Sequence, residues 1–244
     1  MAATLYWFGV SHPSWAVHKM LQLKHVEFDE VRVLPGMQRI HLRLARFRGG
    51  TVPALKLNGR RVQGSRQIAR ALDELAPEPP LFPPDPDRRA AVEQAGGWGE
   101  REFQSVPRII LRWGLMNDPA LRRWLGEQSG MPMPGVAARL SGPTARYYAR
   151  VIGADEAAAR RATRELPQML DHVDALLADG TSSVEQPNAA TLQIFSTVRA
   201  LDSFADFRDR LAGRSSRAAA HELFPEFPGE VPPFIPADWL RSAS

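Results

Sequence analysis

An α/β domain followed by an all-α domain is the fold class this sequence predicts, and three observations predict it. Short apolar runs and amphipathic stretches alternate in the order β-α-β-α-β-β-α through residues 1–76. A proline-dense stretch, "APEPPLFPPDPD", follows at residues 76–87, where neither a helix interior nor a central strand tolerates so many missing N–H groups. Every apolar pattern beyond it has helical spacing. The expected organisation is therefore a first domain at 1–76, a linker at 77–87 and a helical domain at 88–244 that ends in an extended tail.

The elements follow in order. "TLYWFGV", residues 4–10, reads as a strand. "SHPSWAVHKMLQLKH" reads as a helix with Pro13 in its first turn and Ala16, Val17, Met20, Leu21 and Leu23 on its apolar face. "VEFDEVRVL" predicts a strand that buries Phe28, Val31 and Val33. From Arg39 to Arg48, "RIHLRLARFR" predicts an amphipathic helix with Arg39, Arg43 and Arg46 in solvent and Ile40, Leu44 and Phe47 on another face. "TVPALKL" and "RRVQ" flank Asn58-Gly59, a strong hairpin-turn signal. The helix from Ser65 buries Ile68, Ala69, Leu72 and Leu75. After the linker, Val92, Ala95, Phe103, Val106, Ile110 and Trp113 mark a long helix that Pro107 should kink. Leu166, Met169, Leu170, Val173, Leu176 and Leu177 mark another, stopped by Gly180. A third starts near Asn188 and carries Leu192, Ile194, Phe195, Val198 and Leu201. "FPEFPGEVPPFIPADWL" should drape over the bundle.

Composition narrows the chemistry. Hydrophobic residues at 44% with 24% charged residues suit a soluble globular chain. The net charge of +4 comes almost wholly from arginine, the lysines being Lys19, Lys24 and Lys56. The basic residues are not interleaved with aromatics, so no nucleic-acid role is expected. There are 0 cysteines, which excludes disulfides, thiolate metal sites and a cysteine nucleophile. "MAATLYWFGVSHP" has no charged start or signal-like apolar core, and no run approaches membrane-spanning length. A cytoplasmic protein without membrane or metal partners is the expectation.

The stretches "LYWFGVSHPSWAVHKMLQLKHVEFDEV", "TVPAL", "GSRQIARALDEL" and "PNAATLQIFSTVRAL" together resemble the cytosolic glutathione transferase superfamily, serine-type and bacterial in flavour. They match its opening strand and active-site turn, its cis-proline motif, its serine-initiated third helix and a capped helix of its C-terminal domain. The resemblance implies a thioredoxin-like N-terminal domain, a C-terminal helical bundle and a homodimer. It also implies an enzyme that activates glutathione, or another low-molecular-weight thiol such as mycothiol or bacillithiol, for conjugation to a hydrophobic electrophile or for its isomerisation. The alternative is a non-catalytic protein of the same fold that binds apolar ligands or a protein partner.

The resemblance also assigns residues. Ser11 takes the position whose hydroxyl donates to the thiolate, with Ser14 as second choice; by residue type alone Ser11 is equally a plain N-cap of the "S-x-P" kind. His12 at the same turn could donate as a neutral imidazole, and Tyr6 could mimic tyrosine-type members. Val52 before Pro53 would bind the thiol through its main chain, and the helix N-terminus at Gly64-Ser65 would receive its carboxylate. The family commonly has Glu, Gln or Asp where this chain has Gly64, and strand alternation should turn Gln63 to the other face. Arg39 or Arg43 could meet a distal carboxylate of the thiol. His12, Phe103, Trp113 and Tyr147 are candidate lining for the electrophile pocket, with Trp98, Tyr148 and the "GMPMPG" segment at 130–135 beside them. Thr191 stands where the family's capping motif has Asp, and Phe47 is a displaced substitute for its aromatic lock.

Overall fold

The computed structural model describes residues 2–34 and 36–241. Its first part is a mixed sheet of β1 (Ala3–Trp7), β2 (Asp29–Arg32), β3 (Ala54–Leu57) and β4 (Arg60–Gln63), with α1 (His12–Leu23), α2 (Gln38–Leu44) and α3 (Ser65–Leu75). The spatial strand order is β2-β1-β3-β4, with β2 parallel to β1 and the other two pairs antiparallel. This is the thioredoxin-like arrangement expected. Leu5 on β1 pairs with Leu55 on β3, and both are fully buried against Val17, Met20, Leu21, Ile68 and Leu72 from α1 and α3.

Two local expectations fail here, for one reason. β2 is an edge strand whose four residues are all exposed, so Val31 is not core, although Val33 just after it is buried. Likewise α2 runs only from Gln38 to Leu44 and buries Leu42, not Ile40 or Leu44, which are 51% and 79% exposed. Hydrophobic periodicity assumes that an apolar stripe finds a partner, and this edge of the sheet offers a small one. Leu42, Phe47 and Ala54 form a separate cluster with Tyr6 and Val52 packed against it. Phe47 stands edge-on to Tyr6 at 5.3 Å and is buried, so it is spent inside the domain rather than offered as a lock to a partner.

The helical part comprises α4 (Pro86–Trp98), α5 (Ser105–Asn117), α6 (Pro119–Gln128), α7 (Pro134–Leu140), α8 (Gly142–Val151), α9 (Glu156–Ala178), α10 (Ala189–Asp202), α11 (Arg208–Leu211), α12 (Ser215–Leu223) and α13 (Ala237–Leu240). α4 and α5 are the expected long helix, interrupted by a π-helical turn at Gly99–Phe103. Pro107 explains the interruption: it cannot donate to the carbonyl four residues back and its ring would strike that carbonyl, so the ladder slips one residue ahead of it.

α10 is the central post, with Leu192, Ile194, Phe195, Val198 and Leu201 all fully buried. Asn188 caps it by accepting from the Thr191 N–H at 2.9 Å and donates to the Thr181 carbonyl at 2.7 Å. The Thr191 hydroxyl, fully buried, has no partner among the described residues. Because an unsatisfied buried hydroxyl is a cost that an apolar group of the same shape avoids, Thr191→Val is expected to stabilise the protein by about 1 kcal/mol. A lower midpoint in urea unfolding would contradict this.

The linker is also part of the core. Leu81 and Phe82 are buried, the Leu81 N–H donates to Asp73 Oδ1 at 2.7 Å, and its carbonyl accepts from Ala189 N–H at 2.9 Å. The proline-rich tail covers the bundle as expected: Phe224, Phe227, Val231, Ile235 and Trp239 are buried. Among the described residues no helix is long and apolar enough to cross a membrane, and no group of three or more His, Asp or Glu side chains is placed to hold a metal ion.

Candidate active site

The turn Phe8–His12 joins β1 to α1, and Ser11 is the N-cap residue of α1 with extended backbone angles. Its hydroxyl does not cap the helix. It accepts instead from the Ser14 hydroxyl at 2.9 Å, while Ser11 N–H donates to the Phe8 carbonyl at 3.0 Å. With Ser14 donating, the Ser11 proton is free to point to a ligand. Ser14 is fully buried, so it stands behind Ser11 rather than presenting its own hydroxyl. Trp15 Nε1–H clamps the Gly9 carbonyl at 2.5 Å and makes the turn rigid.

His12 follows, 5% exposed, and its Nε2 has no hydrogen-bond partner among the described residues. Burial, helped by the nearby Arg108 charge, holds its pKa well below the usual value, so the ring is neutral at pH 7. Tyr6 lies in β1 and packs on Phe47, away from this turn's hydroxyls.

The Val52–Pro53 peptide is cis, and the Pro53 carbonyl accepts from Gly64 N–H at 3.1 Å. That bond joins the loop before β3 to the start of α3. Gln63 is turned to the loop behind: its Oε1 accepts from Gly49 N–H at 2.7 Å and its Nε2 donates to the Thr51 carbonyl at 3.3 Å. Gly64 has φ +86°, a backbone conformation that only glycine adopts without strain. A Cβ there would also lie 2.6 Å from Gln67 Oε1, because the Gln67 side chain folds back over it. No side chain caps α3, so the amides of its first turn remain available beside Ser65. Arg39 packs its stem over Gly50, where a Cβ would be 3.2 Å from its Cγ, and keeps its head in solvent next to the same loop.

The opposite wall comes from the helical part. A Cβ on Gly9 would sit 3.8 Å from Pro228, and Trp15 lies 5.8 Å from Phe227, so the tail crosses over the turn. Thr144 on α8 would meet a Cβ on Gly36 at 3.9 Å, so α8 lies against the loop after β2. Of the predicted pocket residues, several belong elsewhere. Phe103 is fully buried, stacked on Trp98 at 5.2 Å, and Trp113 packs on Trp239 at 4.7 Å; helical spacing made them core. Tyr147 is 55% exposed on α8, edge-on to the half-buried Tyr148 at 5.4 Å. The 130–135 segment is a surface connection with Met133 largely exposed. Surface hollows of about 390 Å³ beside Trp98, Glu102 and His172, and about 420 Å³ beside Arg214, Arg217 and His221, include none of Ser11, Val52 and Ser65.

A thioredoxin-like sheet with a free helix N-terminus, backed by an all-helical part that walls off its first turn, defines a class of two-domain proteins. The profile of the glutathione S-transferase N-terminal domain family matches residues 5–80. Residues 5–80 are similar to that family, and the chain carries the fold of the cytosolic glutathione transferases. Among solved structures it is similar to a glutathione S-transferase from Rhodospirillum rubrum F11 (18% identity, covering 98% of each chain, TM-score 0.57). It is similar to FzlA from C. crescentus (19%, 98% of each chain, TM-score 0.60). It is similar also to the beta-etherase LigF from Sphingobium sp. strain SYK-6 (20%, covering 91% of this chain and 99% of that one, TM-score 0.62). At these identities the likeness is one of fold. No sequence among curated proteins matches significantly.

Sequence reasoning missed one residue beside the α3 N-terminus. Gln67 occupies the space of the absent side chain at 64, and the signal for it was only its place one turn into α3.

Proposed function

We propose that this protein is a thiol transferase. It would bind a low-molecular-weight thiol, glutathione or a relative, by its carboxylate at the α3 N-terminus, by its peptide-like middle at the Val52 main chain, and by its sulfur at Ser11. The observation that carries this reading is the Ser11 hydroxyl, relieved of capping and supplied with a donor by Ser14, at the N-terminal end of α1. A hydroxyl proton and the positive end of a helix both favour thiolate over thiol. The thiol proton leaves to solvent. The sulfur then attacks the electrophile's carbon, a C–S bond forms, and the displaced group departs with its electron pair. Gln67 would supply the polar group that the family commonly provides as Glu, Gln or Asp at position 64, and Arg39 lies beside the loop that would hold the thiol's far end.

The test is thermal stability with millimolar glutathione, mycothiol or bacillithiol. A thiol at about 100 times its Kd should stabilise the native state by roughly 2.7 kcal/mol. Ser65→Ala and Gln67→Ala are expected to reduce that shift without moving the ligand-free melting temperature by more than a degree or two. If none of the three thiols shifts the wild type, the same fold is acting as a binding scaffold, and the bare Gly64 is the feature that favours that outcome. A partner of the same chain would suit the family, but none of the contacts described above requires one.

A further inference from the structure

Large apolar side chains left in solvent are concentrated on one side of this molecule. Among the described residues, every exposed large hydrophobic side chain except Val31 and Leu75 lies at residues 37–44 or 133–152. The first segment is α2 with the residue before it, and the second takes in α7 and α8. They are neighbours in space: a Cβ on Gly36, just ahead of α2, would lie 3.9 Å from Thr144 Cγ2 on α8. Ile40 and Leu44 stand one turn apart on α2, in line with Met37. Tyr147 and Val151 do the same on α8, on the face that carries Thr144. The apolar stripes of both helices therefore flank one contact.

The charges around them are of one sign. Residues 31–72 contain ten Lys and Arg and residues 128–154 three Arg, with no Asp or Glu in either stretch, although the chain holds 27 acidic residues. Arg60, Arg66 and Arg70, farther along the first stretch, reach Glu74, Glu100 and Glu93. Among the described residues no carboxylate lies within salt-bridge distance of Arg39, Arg43, Arg139, Arg146 or Arg150, all of them exposed. Each of these five immediately precedes an exposed apolar residue: Ile40, Leu44, Leu140, Tyr147 and Val151. Successive side chains are about 100° apart around a helix, so the arginines border the apolar stripes along one consistent side.

We propose that the surface formed by α2, α7 and α8 is a peripheral docking face for a bilayer rich in anionic phospholipid. Leu44 at 79% and Leu140 at 75% are its most exposed leucines, and they project from it rather than line a hollow. A projecting leucine with a guanidinium beside it needs no shaped pocket in its partner. The acyl boundary takes the apolar tip, and the headgroup phosphates above it pair with the arginine. A second copy of this chain fits poorly, since an isologous contact would set unpaired arginines against their own images. An acidic protein would satisfy the charges but would have to enclose projecting side chains on both helices. Such a contact lies in the membrane interface and spans nothing, so it requires no membrane-crossing helix. It revises the expectation of no membrane partner, which rested on spanning length, and it is independent of the thiol-transferase reading.

Flotation of the full chain with vesicles of phosphatidylcholine, alone or mixed with an equal part of phosphatidylglycerol, tests it. The mixed vesicles are expected to bind at least roughly tenfold more tightly, since each arginine near an anionic surface contributes about fivefold. Arg146→Gln with Arg150→Gln should weaken that binding by roughly 20-fold, and Arg146→Lys with Arg150→Lys should keep most of it. Leu44→Ser with Leu140→Ser should weaken it by roughly tenfold or more, because two apolar tips no longer leave water. All these side chains are exposed, so none of the variants should melt more than about two degrees from wild type. Equal binding to the two kinds of vesicle overturns the proposal, as does mixed-vesicle binding that survives the Gln pair. Binding that the Ser pair leaves unchanged also overturns it and marks the face as a plain polyanion site. No binding to the mixed vesicles returns the face to an acidic protein, or to a second copy if sedimentation velocity shows a dimer that the Ser pair dissolves.

Discussion

Ser11→Ala is expected to lower the rate of thiol conjugation at pH 7 by roughly 10- to 100-fold while leaving thiol affinity within about threefold of wild type. The estimate follows from one hydrogen bond to a charged acceptor. A hydroxyl that donates to a thiolate but not to a thiol is worth about 1.5–3 kcal/mol, or about one to two units of the bound thiol's pKa. Below that pKa the reactive fraction falls about tenfold for each unit by which it rises. The pH–rate profile of the variant should therefore move to the alkaline side, and the two enzymes should converge at high pH where both thiols are ionised. Ser14→Ala should give a smaller displacement in the same direction. It removes the donor to Ser11 Oγ at 2.9 Å but leaves the Ser11 proton free to choose another acceptor. A rate loss that is equal at every pH would mean that Ser11 positions the thiol without ionising it. An unchanged rate would move the activating group elsewhere in the turn.

Lys24→Met is expected to cost about 3 kcal/mol of stability, the largest effect on folding among these substitutions. The Lys24 side chain is completely buried and its Nζ donates to Asp73 Oδ1 at 2.6 Å, to the Ala76 carbonyl at 2.6 Å and to the Pro77 carbonyl at 3.3 Å. Asp73 Oδ1 accepts in turn from Leu81 N–H, and the Leu81 carbonyl accepts from Ala189 at the head of α10. One ammonium thus ties α1, α3, the linker and the central helix. Methionine fills the volume but strands a largely buried carboxylate and two carbonyls. Urea unfolding should show the loss with an unchanged slope. Lys24→Met combined with Asp73→Leu should recover part of it, because the uncompensated charge goes. Equal midpoints for wild type and Lys24→Met would show that water replaces the ammonium at little cost.

Much of this was readable without coordinates, because it depends on local chemistry. Pro13, Asn58-Gly59, the prolines after Ala76 and Asn188 act through their own backbone geometry or the next few residues, and the elements they punctuate lie where they indicate. Alternation also aimed Gln63 correctly, since it ends up bonded to the loop at Gly49 and Thr51. Ser11, Val52 and Ser65 likewise lie at or just before the start of an element that the sequence delimits.

What failed depended on what lies opposite. Ile40 and Leu44 have a helical stripe, but no layer covers it; Phe103 and Trp113 have the right chemistry for a pocket but face other aromatics. The sequence by itself determined the order of elements, the capped helix starts and the serine at the turn, because short-range sterics and hydrogen bonding decide those. Only the tertiary structure decided that Ser14 backs Ser11 and that Gln67 fills the place left by Gly64. Those are distances between groups on separate turns or separate elements, and packing sets them.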